Sequence, residues 1–88
     1  MTINIKDLKK KIIYRSKYRG TKEMDNLLGC FTKKYIDDCN ESDLILLSDL
    51  MDIDDENLYS FKKGENTSIQ IEINKITLLF KNFIYVNK

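Results

Sequence analysis

The sequence predicts an all-α protein, a small compact bundle of about five helices. Three observations predict it. Proline is absent, and glycine occurs only at positions 20, 29 and 64, so few residues break a helix. Apolar residues recur at helical spacing in successive stretches. The residues between those stretches, Gly20, Thr21, Asn40, Asp54 and Gly64, are types that helix ends favour. At 88 residues the chain is read as one helical domain, residues 1–88. A chain of this size buries roughly 60–65% of its unfolded surface, so its stability should be modest.

The first helix rests on Ile5, Leu8 and Ile12, with Thr2 or Asn4 as cap and an end near Tyr18 or Arg19. Gly20 suits the break. The second is the clearest: Met24, Leu27, Leu28, Phe31 and Tyr35 form one apolar stripe over three turns. Gly29 sits within it, costs about 1 kcal/mol against alanine, and is expected to mark a close helix–helix approach. Asn40 followed by Asp43 predicts the start of a third helix carrying Leu44, Leu47, Leu50 and Met51. Asp54 predicts the cap of a short fourth, with Leu58, Tyr59 and Phe61 as its apolar residues. Lys62, Lys63 and Gly64 close that helix with cations and a glycine. In the last stretch Ile69, Ile71 and Ile73 alternate as in a strand. Ile69, Ile73, Ile76, Phe80 and Phe83 also fit a helical stripe, and a lone strand would lack a partner. A helix is predicted.

Composition removes several classes of function. There is no histidine, hence neither the commonest general base nor the commonest transition-metal ligand. Cys30 and Cys39 suit neither a zinc site nor a mutual disulfide, and are expected as buried, reduced thiols. No apolar run approaches the roughly 18 residues of a membrane span. Met1 to Lys11 is lysine-rich without a long apolar core, so no secretory signal is expected. The carboxylates cluster without a nucleophile, metal set or phosphate loop beside them, and an enzyme is not expected. Net charge is only +1, but it is unevenly placed. Eight bases face one acid between residues 1 and 22, whereas residues 37–56 hold nine acids and no base. Such asymmetry can steer a partner, or can be solvated helix faces.

The stretch from Arg15 to Phe31 reads RSKYRGTKEMDNLLGCF. Local capping accounts for its key residues without a partner. Arg19 would suit the last turn of one helix. Either Gly20 or Thr21 could cap the next, and with Gly20 as cap Glu23 falls at N3 and can reach back to the cap. The same stretch resembles the bacterial succinate dehydrogenase FAD assembly factors, the relatives of mitochondrial succinate dehydrogenase assembly factor 2. Their Arg-Gly-x-x-Glu motif stands here as Arg19-Gly20-Thr21-Lys22-Glu23. Arg15-Ser16 lies before it, and Met24-Asp25, Leu27-Leu28-Gly29 and Phe31 follow. Residues 50–55 and Leu58-Tyr59 resemble the family's acidic turn and short fourth helix. Two positions depart from the pattern: Glu56 stands near a usual proline, and Phe61 where tryptophan is usual. The tail beyond Gly64 matches poorly.

The resemblance implies an assembly factor, not an enzyme, that binds the flavoprotein subunit of succinate dehydrogenase. There it would promote covalent attachment of FAD to a histidine of that subunit. The factor itself would hold no cofactor stably. Arg19, Gly20 and Glu23 would meet the partner, with Arg15 and Asp25 beside them. Arg19 would bind a partner carboxylate or carbonyl, and Gly20 would let the backbones approach. The fumarate reductase flavoprotein is a further candidate client, and a monomer in the bacterial cytoplasm is expected. Two rivals arise from the basic first helix. One is nucleic-acid binding, with Tyr14 and Tyr18 stacking on bases. The other is a membrane-surface helix. The acidic middle argues against the first, and the bundle's need for an apolar face argues against the second.

Overall fold

The computed structural model describes residues 4–84, and Thr2 lies outside them. Five α-helices run in order: α1 Ile5–Lys17, α2 Lys22–Tyr35, α3 Glu41–Met51, α4 Asp55–Lys63 and α5 Lys75–Asn82. A 3₁₀ turn, Ile36–Asp38, connects α2 to α3. There is no strand among the described residues, so the all-α expectation holds.

Each helix start is set by a short polar side chain. Asn4, Thr21, Asn40, Asp54 and Asn74 each accept an N–H from the first turn that would otherwise lack a partner. At Asn40 and Asn74 the third helical residue, Asp43 or Thr77, bonds back to the cap. Gly64 ends α4 in the left-handed conformation at φ 76°, which a side chain would oppose.

The core is one cluster to which all five helices contribute. Ile12 comes from α1; Met24, Leu27, Leu28 and Phe31 from α2; and Leu44, Leu47, Leu50 and Met51 from α3. Ile36 of the 3₁₀ turn, Leu58 and Phe61 of α4, and Ile76 and Phe80 of α5 complete it. Phe31 is its hub, edge-on to Phe80 and Phe83 at centroid distances of 5.4 Å. α1 packs on α2 and α3, and α5 packs on α3 and α4.

Four expectations need correction. The last helix begins at Lys75, not near Ile69; residues 65–74 are irregular, and Ile69 and Ile73 are exposed. Asn74 explains why, because its capping box with Thr77 starts the helix there. Tyr59 lies on the outer face of α4, exposed. Cys30 is exposed and Cys39 half-buried, both as free thiols. Cys39 follows the 3₁₀ turn and does not share a helix with Cys30. Gly29 does face α1, but a Cβ there would meet only the Lys17 side chain, at 3.9 Å.

Candidate functional site

α1 stops at Lys17 and α2 starts at Lys22, leaving a four-residue turn. Arg19 therefore lies beyond the helix end and not in its last turn. Thr21 is the cap of α2, its hydroxyl accepting Met24 N–H at 3.2 Å. Of the two caps the sequence allowed, the structure uses Thr21, which places Glu23 at the second helical position. The capping box drawn with Gly20 is absent. Glu23 is exposed and makes no hydrogen bond or ion pair among the described residues.

The turn is held by Arg19. Its side chain is 8% exposed and reaches the α3–α4 junction. Nε donates to Asp55 Oδ1 at 2.9 Å, Nη1 to the Met51 carbonyl at 2.6 Å, and Nη2 to the Ile53 carbonyl. The guanidinium fork does bind a carboxylate and carbonyls, but they belong to its own chain. Its backbone N–H donates to Asp25 Oδ1, so Asp25 ties the turn to the first coil of α2. One turn earlier on α1, Arg15 pairs with Asp52 at the surface. The basic end of α1 thus closes on the acidic residues 52–55, and part of the charge asymmetry cancels inside the molecule.

Gly20 sits between these clasps with φ 118°, a conformation that residues with a Cβ rarely adopt. Its nearest neighbour for a Cβ is Asp55 Oδ2, at 3.9 Å. Space exists, so the backbone angle is what selects glycine. Beside the turn, Glu23, Leu27, Tyr59, Lys62 and Lys63 line a groove of about 260 Å³. Its floor is apolar and its rim carries one acid and two bases. The Lys62 ammonium reaches the end of α5, donating to the Phe80 carbonyl at 2.9 Å and to that of Phe83. Burial pushes its pKa down.

The five residues singled out from sequence are thus brought to one edge of the bundle. Arg19 and Asp25 build the turn, Arg15 braces it, and Gly20 and Glu23 are exposed on it. Sequence reasoning missed the groove residues Tyr59, Lys62 and Lys63. Tyr59 counts among the apolar residues of α4 in the sequence, but it is Leu58 and Phe61, beside the buried Asn57, that face inward. No group of three or more His, Cys, Asp or Glu among the described residues could hold a metal ion. No described helix is long and apolar enough to cross a membrane.

The fold and its site thus define a small all-α bundle with an ordered turn between its first two helices. The sequence matches the family described as flavinator of succinate dehydrogenase across residues 10–84. The chain belongs to that family, as the Arg-Gly-x-x-Glu resemblance implied. No curated protein and no solved structure matches it.

Proposed function

We propose that this protein binds the flavoprotein subunit of succinate dehydrogenase before its flavin is attached, and promotes covalent FAD attachment to that subunit. The family match over residues 10–84 carries the reading. The turn supports it. Arg19 spends its charge on the chain's own groups, which fixes Gly20 and Glu23 in one geometry; a preorganised contact loses less entropy on binding. Glu23 is the acidic member of the motif, and with no ion pair among the described residues it is free to meet a partner cation. Arg19 then acts as a positioning residue, Gly20 permits close backbone approach, and Arg15 and Asp25 brace the turn. The chain contributes surface and no reacting group, and it holds no FAD of its own. Fumarate reductase flavoprotein is a second client in this proposal, and the working form is a cytoplasmic monomer.

Glu23→Gln is the clean test, because the side chain makes no bond among the described residues. Purified flavoprotein subunit without covalent flavin is incubated with FAD and each variant, and covalent flavin is read by fluorescence after denaturation. Wild type should accelerate attachment. Glu23→Gln should lower that acceleration while its melting temperature stays unchanged. A wild-type chain that leaves attachment by a competent subunit unaltered overturns the proposal.

A further inference from the structure

A second feature lies along the seam of α2 with α1, at the margin of the core. Ile13, Ser16, Gly29, Thr32 and Ile36 line a cleft of about 330 Å³, with Lys17 and Lys33 at its sides. A shallower hollow of about 370 Å³ shares Lys17, Gly29 and Lys33 and continues past Cys30 to Asn26 and Asp25. The two make one furrow. It runs from Asp37 at the far end to Asp25, whose carboxylate holds the Arg19 backbone.

Three observations say what the furrow accepts. Gly29 opens its middle, although the fold itself would admit a methyl there. A glycine inside a helix costs about 1 kcal/mol relative to alanine, so the opening is held against helix propensity. Thr32 is 1% exposed, and its hydroxyl has no hydrogen-bond partner among the described residues. Such a group costs about 1–3 kcal/mol when left unsatisfied, and a neighbour that reached it would recover part of that. Finally, Lys17 and Lys33 are both exposed and pair with no carboxylate among the described residues. They place positive charge at the centre of the furrow, with Asp25 and Asp37 at its ends. An extended segment with a central acid and cationic or neutral flanks complements that pattern.

We infer that the α1–α2 furrow is a second contact surface for the flavoprotein subunit, and that it takes an extended segment bearing a carboxylate side chain between Lys17 and Lys33. The inference rests on the function proposed above. It widens the interface from the Gly20 turn to a strip continuous with it through Asp25.

The affinity of the chain for flavin-free flavoprotein subunit tests it. Lys17→Glu with Lys33→Glu should weaken binding roughly ten-fold or more. Lys6→Glu with Lys10→Glu makes the same change in net charge elsewhere on α1, and should weaken it no more than about three-fold. Thr32→Val, which keeps the shape and removes the hydroxyl, should weaken it about three-fold. Equal losses in the two double variants would mean long-range steering alone and overturn the inference. So would wild-type affinity in the furrow variants. Sedimentation velocity of the chain alone covers the remaining occupant: a dimer that Lys17→Glu with Lys33→Glu dissociates would give the furrow to a second copy. A wild-type chain that does not bind the subunit removes the underlying function itself, a result distinct from binding that the furrow variants leave unchanged.

Discussion

Arg19 shows how far one residue's role can be read before its surroundings are known. Its place in the motif was legible, but its direction was not. The acceptors lie 32 to 36 residues away, beyond any local spacing argument. The same holds for Arg15 and Asp52, whose pairing turns an apparent steering charge into an internal clasp. The two clasps should differ sharply in energy. Arg19→Lys replaces a fork satisfying three acceptors with a single point charge. It should cost about 2–3 kcal/mol in urea unfolding, because two carbonyls and a partly buried carboxylate lose their donors. Arg15→Ala removes an exposed pair and should cost less than about 1 kcal/mol. Gly20→Arg should cost about 1–3 kcal/mol from the backbone angle alone. A loss of flavin attachment in that variant would be interpretable only beside a stability measurement, which is why Glu23→Gln is the better probe.

Among the elements, polar caps decided more than apolar stripes. The third helix was legible in full, since Asn40 with Asp43 and the leucine spacing agreed. Asn40→Ala should lower stability by about 1 kcal/mol, read from the denaturant midpoint. The fifth helix was drawn too long because two isoleucines, Ile69 and Ile73, extended the apparent stripe backwards. The signal that fixes its start, Asn74 three residues before Thr77, was present in the sequence and outweighed by hydrophobic count. The cap of α4 adds a dependence on pH. Hydrogen bonds from the Asn57 side chain and backbone hold the Asp54 carboxyl below the ordinary aspartate range. A depressed folded pKa stabilises above the unfolded value, about 3.9, and that contribution fades as pH falls through the folded one. The stability gap between wild type and Asp54→Ala should accordingly be flat near neutrality and close in acid, when both are followed by circular dichroism across pH 2–7.

For the whole molecule, the fold class and most of the core followed from periodicity, whereas the functional edge did not. Leu44, Leu47, Leu50, Leu58 and Phe31 are all fully buried, as the stripes required. The groove and the furrow are products of how helices meet, and no single helix encodes them. Phe80 joins the last helix to the rest through Phe31. Phe80→Ala should cost about 3–5 kcal/mol, a large share of the stability expected for so small a domain. Thermal melting should show a transition lowered by many degrees or lost.

Residues 65–74 carry a consequence of their own. Ile69, Ile71 and Ile73 alternate with polar residues as a β-edge does, yet the fold holds them in irregular backbone. Near the start of that stretch Ser68 is fastened by the buried Asn57 amide, whose oxygen accepts the Ser68 N–H at 2.8 Å and whose nitrogen donates to the Ser68 hydroxyl at 2.9 Å. If that fastening opens, a strand-competent segment is released while the five helices remain folded, and identical segments on neighbouring molecules are its natural partners. Resistance to aggregation in concentrated solution would then depend on local contacts, this Asn–Ser clasp together with the packing of Ile71 on the core, more than on the global free energy of folding.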